Sequence, residues 1–225
     1  MTYLTGDVWI AVGKHRLYPY FENLLISVTG IMRALQFAHT LLSTQHMQPI
    51  VAYKSNAQFA ARQFPLTLTL PQTGPLEQLL QGRRADVIQL RFGSPPAEAP
   101  LGSPRTVPVG TLHTVFANAL SPTFVQFYED NCKWVEKNVN SDVHKWPAAW
   151  NFGRVIRNAM SHGGSINIDS KVAPNVSWHH LTYGHDQNKQ RVIGTELYFT
   201  DLMILMIEMA DDLDRANAPY VTLEP

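Results

Sequence analysis

Arg154, Arg157, Asn158, Ser161 and His162 lie within nine consecutive positions of one amphipathic segment. At 3.6 residues per turn, Arg154, Asn158 and His162 are spaced four apart and stack along one ridge. Taking Phe152 as facing a core, Val155, Ile156 and Ala159 fall near it, and Arg157, Ser161 and His162 fall on the far arc. Arg157 and His162 are then about 140° apart around the helix, flanking a groove without touching. One helix end therefore presents two guanidinium groups, an amide and an imidazole. Imidazole suits proton transfer near neutrality. Guanidinium suits a phosphate, because it stays charged and donates in a planar fork. Together they fit removal of a proton from a ribose 2′-OH and stabilisation of charge on the adjacent phosphate. Asparagine can orient either partner. The plainer reading is a solvated helix end whose cations offset the helix dipole.

Other polar clusters point less sharply to chemistry. His179, His180, His185 and Asp186 are of metal-ligating types. Adjacent residues on a strand face opposite ways, however, so a polar hairpin surface is the better reading. A variant has one of these histidines, with Lys189 or Arg191, helping to bind the same anion as Arg157. Asp211, Asp212 and Asp214 end the last helical pattern, and Arg83-Arg84 is a short basic pair. Both read as solvated. Trp134, Trp146, Trp150 and Trp178 read as core or interface residues. Cys132 is the single cysteine, which excludes an intrachain disulfide, suggests a reducing compartment, and reads as a small hydrophobe. There is no phosphate-cradling glycine loop, CxxC pair, HExxH or GxSxG, so no metal and no cofactor is expected.

The elements that must position these residues follow from periodicity. A loose alternation between Asp7 and Tyr20 suggests a short strand. From Pro19 a long amphipathic helix is expected, with Leu24, Val28, Ile31, Leu35, Ala38 and Leu42 at helical spacing. Asn56 to Phe64 and Gly74 to Arg84 read as short helices, and Asp86 to Phe92 as a strand. Gly93 to Gly110 is rich in Pro and Gly and reads as an irregular surface excursion. Order returns at Ser121-Pro122, with Phe124, Phe127, Tyr128, Trp134 and Val135 on a helical stripe. The next helix begins near Trp146-Pro147 and is stopped by Gly163-Gly164. Short strands are expected at Ser165 to Asp169, Val176 to Tyr183 and Arg191 to Gly194, forming a small antiparallel hairpin. Thr200 is a good N-cap for a final helix so apolar that it should be central.

Hydrophobic residues make up 45% of the 225-residue chain, enough for a real core. The formal net charge is +0, from 18 basic and 18 acidic residues, which removes the simplest argument for avid nucleic-acid binding. No secretory signal and no stretch of membrane-spanning length is read, so a soluble cytoplasmic protein is expected.

The run Arg157-Asn158-Ala159-Met160-Ser161-His162, near the end of a helix, resembles the signature of the HEPN superfamily. The resemblance covers mainly Phe124 to Arg215, with the helix from Leu24 to Leu42 as a further bundle member. It implies a mainly α fold, an up-and-down bundle of four or five helices, here with a small β-hairpin inserted before the last helix. It also implies one domain over 1–225, with the excursion at 93–110. The implied activity is metal-independent RNA cleavage in defence or toxin–antitoxin biology. His162 would be the general base, Arg157 the phosphate stabiliser, Asn158 the orienting residue and Arg154 a further phosphate contact. The implied partners are a second copy of the chain across a dimer, RNA, and an antitoxin or other protein. Members of the superfamily that keep the motif in RNA-binding or scaffolding roles supply the alternative: a non-catalytic module binding a nucleotide, RNA or a protein. The stretch from Gln45 to Gly110 is not accounted for by the resemblance, and the hairpin is an addition to it.

Overall fold

The computed structural model describes residues 6–11, 14–24, 26–28, 30–31, 56–59, 66–69, 87–92, 113–168 and 173–220. The expected helix at Gly74 to Arg84, the excursion at 93–110 and the far end of the first helix lie outside these residues. The described residues are mainly helical, with a small two-stranded antiparallel hairpin before the last helix, as the sequence predicts.

Residue contacts gather into two compact units, one of residues 1–60 and 64–110, the other of 61–63 and 111–225. The first holds a four-stranded antiparallel sheet of order β1-β4-β3-β2, built from β1 (Gly6–Ala11), β2 (Asn56–Phe59), β3 (Leu66–Thr69) and β4 (Val87–Phe92). Strand β1 pairs with β4 from Gly6 opposite Phe92 to Ala11 opposite Val87. The strands β1 and β4 match expectation. The sheet as a whole does not, because Asn56 to Phe64 reads as helical by sequence, whereas Asn56–Phe59 is a strand laddered to Leu66–Thr69. Pairing with a neighbouring strand overrides weak local propensity there. Helical residues between 18 and 31 (α1) also fall in this unit, burying Tyr18, Phe21, Leu24 and Val28 at helical spacing.

The second unit is built on α2 (His113–Asn138), α3 (Ala148–Ser161) and α4 (Phe199–Arg215). Helix α2 starts eight positions before Ser121, the expected start, and runs through Pro122. Leu120, Phe124, Phe127, Tyr128, Asn131 and Val135 form its buried stripe, and Asn131 donates to the Phe127 carbonyl (2.8 Å). Helix α3 buries Trp150, Phe152, Gly153, Val155, Ile156 and Ala159. Helix α4 is central: every residue from Phe199 to Ile207 is buried. Trp150 joins all three helices. Its ring centroid lies 6.0 Å from that of Phe127 and 5.7 Å from that of Tyr128, and its indole N–H donates to the Met209 carbonyl (2.9 Å). Gly153 lets α3 approach α4 closely, since a Cβ there would lie 2.7 Å from Met209 Sδ.

The expected N-cap of α4 is corrected. Thr200 is fully buried inside the first turn, and its hydroxyl has no hydrogen-bond partner. The cap position is Tyr198, whose backbone N–H donates to Asp201 Oδ2 (2.8 Å). That contact is one arm of a capping box.

The hairpin lies inside the single strand expected from Val176 to Tyr183. Strands β5 (Val176–Trp178) and β6 (Leu181–Tyr183) pair across a turn at His179-His180. The turn is possible because His179 adopts a left-handed backbone, φ 50°. The outer strands expected at 165–169 and 191–194 reduce to isolated bridges, Ser165 opposite Arg191 and Ile193 beside Leu197. Trp178 and Tyr183 pack on Phe152, with ring centroids 5.3 and 5.2 Å away.

Two outcomes follow from this packing. Gly163 and Gly164 both have positive φ, 67° and 87°, but only at Gly164 would a Cβ meet a neighbour, Ile193 Cβ at 3.0 Å. Gly164→Ala should therefore cost about 1–3 kcal/mol and Gly163→Ala about 1 kcal/mol, read from urea midpoints. Equal losses would contradict the role of Ile193. Separately, burial pushes the Asp201 carboxyl up to about 6, against the lowering effect of the Tyr198 N–H. A group raised in the folded state adds stability that is fully present below its unfolded value, near pH 4, and lost as pH rises through 6. Asp201→Asn keeps an acceptor for Tyr198 and should flatten that decline, gaining ~1–2 kcal/mol at pH 7. An unchanged pH profile would contradict it.

Candidate functional site at the end of helix α3

Helix α3 ends as its sequence predicts. His162 is the C-cap, and the Gly164 N–H reaches back to the Ala159 carbonyl (2.8 Å). Only a backbone that turns left-handed after the cap can make that bond, which Gly163 and Gly164 supply. The turn then carries Ser165 to Ile168 back alongside the end of the helix. Gly164 accepts from Val192 N–H (2.8 Å), and Ile166 N–H donates to the Gln190 carbonyl (2.9 Å).

The ridge of Arg154, Asn158 and His162 finds its partners in two directions. Asn158 Nδ2 donates to the backbone carbonyl of Asn167 (3.0 Å). His162 stands exposed, with its Nε2 3.0 Å from Asn167 Nδ2. Asn158 and His162 are thus both tied to Asn167, one to its backbone and one to its side chain. Lys189 Nζ donates to Asn167 Oδ1 (2.8 Å). Arg154 is turned towards its own helix, donating to Asn151 Oδ1 (3.2 Å), and its Nε is buried with no hydrogen-bond partner.

Arg157 is half-buried and forms an ion pair with Glu129 of α2. Its Nε lies close to the carboxylate but makes no aligned hydrogen bond, so the attraction is mainly coulombic. Burial pushes the nearby Tyr128 phenol up, against the opposing pull of Arg154 and Arg157. The two guanidinium groups therefore sit towards Tyr128 and Glu129, while Asn158 and His162 sit towards Asn167. This matches the wide angular separation expected of Arg157 and His162.

Glu129 and Asn167 are partners that the sequence does not assign to the motif, whereas Lys189 enters there as a contact to the anion of Arg157 and is found on Asn167. Glu129 lies 28 positions before Arg157, and nothing in local spacing joins them. Asn167 lies just past the Gly-Gly stop, where the chain doubles back, and that reversal is the available signal.

Beside the same helix end is an open groove of about 460 Å³, lined by Asn118, Ser121, Met160, Ser161, Gly163 and Arg191 among others. A second groove, about 570 Å³, lies along the hairpin and includes His180, Gln187 and Glu196. Both Glu196 oxygens there accept hydrogen bonds, from Tyr183 Oη (2.9 Å) and Gln190 Nε2 (2.7 Å).

The histidine-rich segment does not gather as ligands. His179 Nε2 lies 2.8 Å from Glu208 Oε1, and Trp178 Nε1 donates to Glu208 Oε2 (2.6 Å). Among the described residues no three His, Cys, Asp or Glu side chains are placed to hold a metal ion. Asp212 pairs with Arg215 (2.6 Å) at the end of α4. The half-buried Cys132 thiol is pushed up by burial, which disfavours the nucleophilic thiolate. No described helix is long and apolar enough to cross a membrane. Compared with known proteins, the chain matches no family model, no curated protein and no solved structure.

Proposed function

We propose that this chain is a HEPN-like, metal-independent ribonuclease acting in defence or toxin–antitoxin biology. The observation that carries the reading is the exposure of His162 at the open end of α3, uncovered by the hairpin, with Arg157 half-exposed on the same helix. His162 takes the proton of a ribose 2′-OH. The 2′-oxygen attacks phosphorus, the bond to the 5′-oxygen breaks, and the leaving oxygen takes up a proton. The products are a 2′,3′-cyclic phosphate and a 5′-hydroxyl. Arg157 stabilises charge on the phosphate, Arg154 adds to the local positive potential, and Asn158 holds the loop that carries Asn167. Arg157 and His162 lie apart on one helix, so a second copy related by a two-fold axis completes the cleft with its own pair.

A non-catalytic HEPN-like module that binds a nucleotide, RNA or a protein such as an antitoxin is the second reading. The Glu129 ion pair favours it, because Arg157 already has its counter-charge. On the ribonuclease reading this pair opens when phosphate binds.

The test is cleavage of a quenched fluorescent RNA, with end-group analysis of the products. His162→Ala should lower the rate on the order of 100-fold or more while leaving the melting temperature within a few degrees. Light scattering should give a dimer. Unchanged cleavage, or a strict monomer, would sink the enzyme reading. Loss of the fold in His162→Ala would make the residue structural. A complementary variant, Glu129→Gln, frees Arg157 and should tighten RNA retention several-fold at low salt. No gain would remove Arg157 from the phosphate contacts.

A further inference from the structure

We infer that Lys189 and Asn167 form a latch that holds His162 in its Nδ1–H tautomer, and that an anionic phosphate opens the latch by drawing Lys189 away. The argument begins with the orientation of one amide. Asn167 Oδ1 accepts from Lys189 Nζ at 2.8 Å. An ammonium has donors only, so the atom facing Lys189 must be the amide oxygen. The amide nitrogen then faces His162 Nε2 at 3.0 Å. An amide nitrogen only donates, so Nε2 accepts and the ring proton sits on Nδ1.

The backbone on both sides is fixed, so this is a built arrangement. Asn158 grips the Asn167 carbonyl (3.0 Å), and Asn188 Oδ1 accepts from the Ile168 N–H (3.1 Å). Lys189 N–H donates to the Ile166 carbonyl (2.8 Å). Lys189 itself adopts φ 67°, a conformation that disfavours a residue with a Cβ. A lysine is therefore kept in a backbone conformation that glycine would occupy more comfortably, and its amine completes the chain Lys189–Asn167–His162.

The consequence rests on the proposed function. While the latch is closed, the basic lone pair is on Nε2 and the Asn167 amide occupies it. When a phosphate takes Lys189, the amide is free to turn its Oδ1 to the ring, the proton moves to Nε2 and the lone pair to Nδ1, so an unmasked base nitrogen is present where an anionic substrate is bound. Asn167 and Lys189 are positioning residues, acting through His162.

The test is long-range ¹⁵N–¹H correlation of the His162 ring, at a pH where the imidazole is neutral, using the full chain. The wild-type ring should be in the Nδ1–H form. Lys189→Met should shift it towards the Nε2–H form, because the amide is then free to present Oδ1. Inorganic phosphate should shift the wild-type ring the same way and leave Lys189→Met unmoved. Lys189→Gly gives an independent check. It relieves the left-handed backbone, so it should match or exceed wild type in thermal stability while still shifting the tautomer, a combination that a merely structural lysine would not produce. A wild-type ring in the Nε2–H form, a variant ring identical to wild type, or a wild-type ring indifferent to phosphate overturns the latch. None of these readouts requires cleavage, so a protein that shows the shifts without degrading RNA keeps the latch and loses the ribonuclease.

Discussion

The hydrogen bond from Trp150 to the Met209 carbonyl holds together everything that matters around the candidate site. An indole is large, apolar and has one obligatory donor, so burying it requires an acceptor at a fixed place. Here the acceptor is a backbone atom of the most buried helix, which sets how far α3 slides and rotates against α4. The faces of the same ring meet Phe127 and Tyr128, which sets α2 in turn. With α3 fixed on its inner side, its outer arc is fixed too. Arg157 is thereby brought to Glu129, and His162 is carried to the end where the chain turns back.

The cations around that helix end each have a polar partner. Arg157 meets Glu129, Lys189 meets an amide oxygen, and Arg154 is satisfied in part by Asn151. This local pairing is consistent with the zero net charge of the whole chain. On the proposed function, a phosphate would reach these cations by replacing the partner each one already has.

What the sequence made legible was what periodicity and local stops encode. The apolar stripe of α3, its end at Gly163-Gly164 and the all-round burial of α4 depend on residues within a few turns of one another. The ridge of Asn158 and His162 also emerged, since both contact Asn167. Pairing across distance did not emerge. The strand Asn56–Phe59 is made by its ladder to Leu66–Thr69, and its own residues carry little β preference. The turn at His179-His180 needs a left-handed histidine, for which no local pattern speaks. The start of α2 was placed too late because Pro122 looks like a beginning, whereas the helix runs through it. At the site, Glu129 was missed as the partner of Arg157 because complementarity between helices leaves no trace in spacing.

The hairpin's attachment has an asymmetry that bears on how this protein tolerates change. Two donors from the hairpin, the Trp178 indole and the His179 imidazole, converge on the two oxygens of Glu208. Losing one donor leaves the other in place, with the carboxylate still engaged. Losing the carboxylate removes the shared acceptor of both donors at once, one of them on a mostly buried indole. Removing both donors should therefore cost more than the two single losses added together, because only then is the carboxylate left unengaged. Of the three, the glutamate is the one residue on which both polar contacts of the hairpin depend, although it is the most ordinary of the set and the one that no reading of the sequence would have picked out.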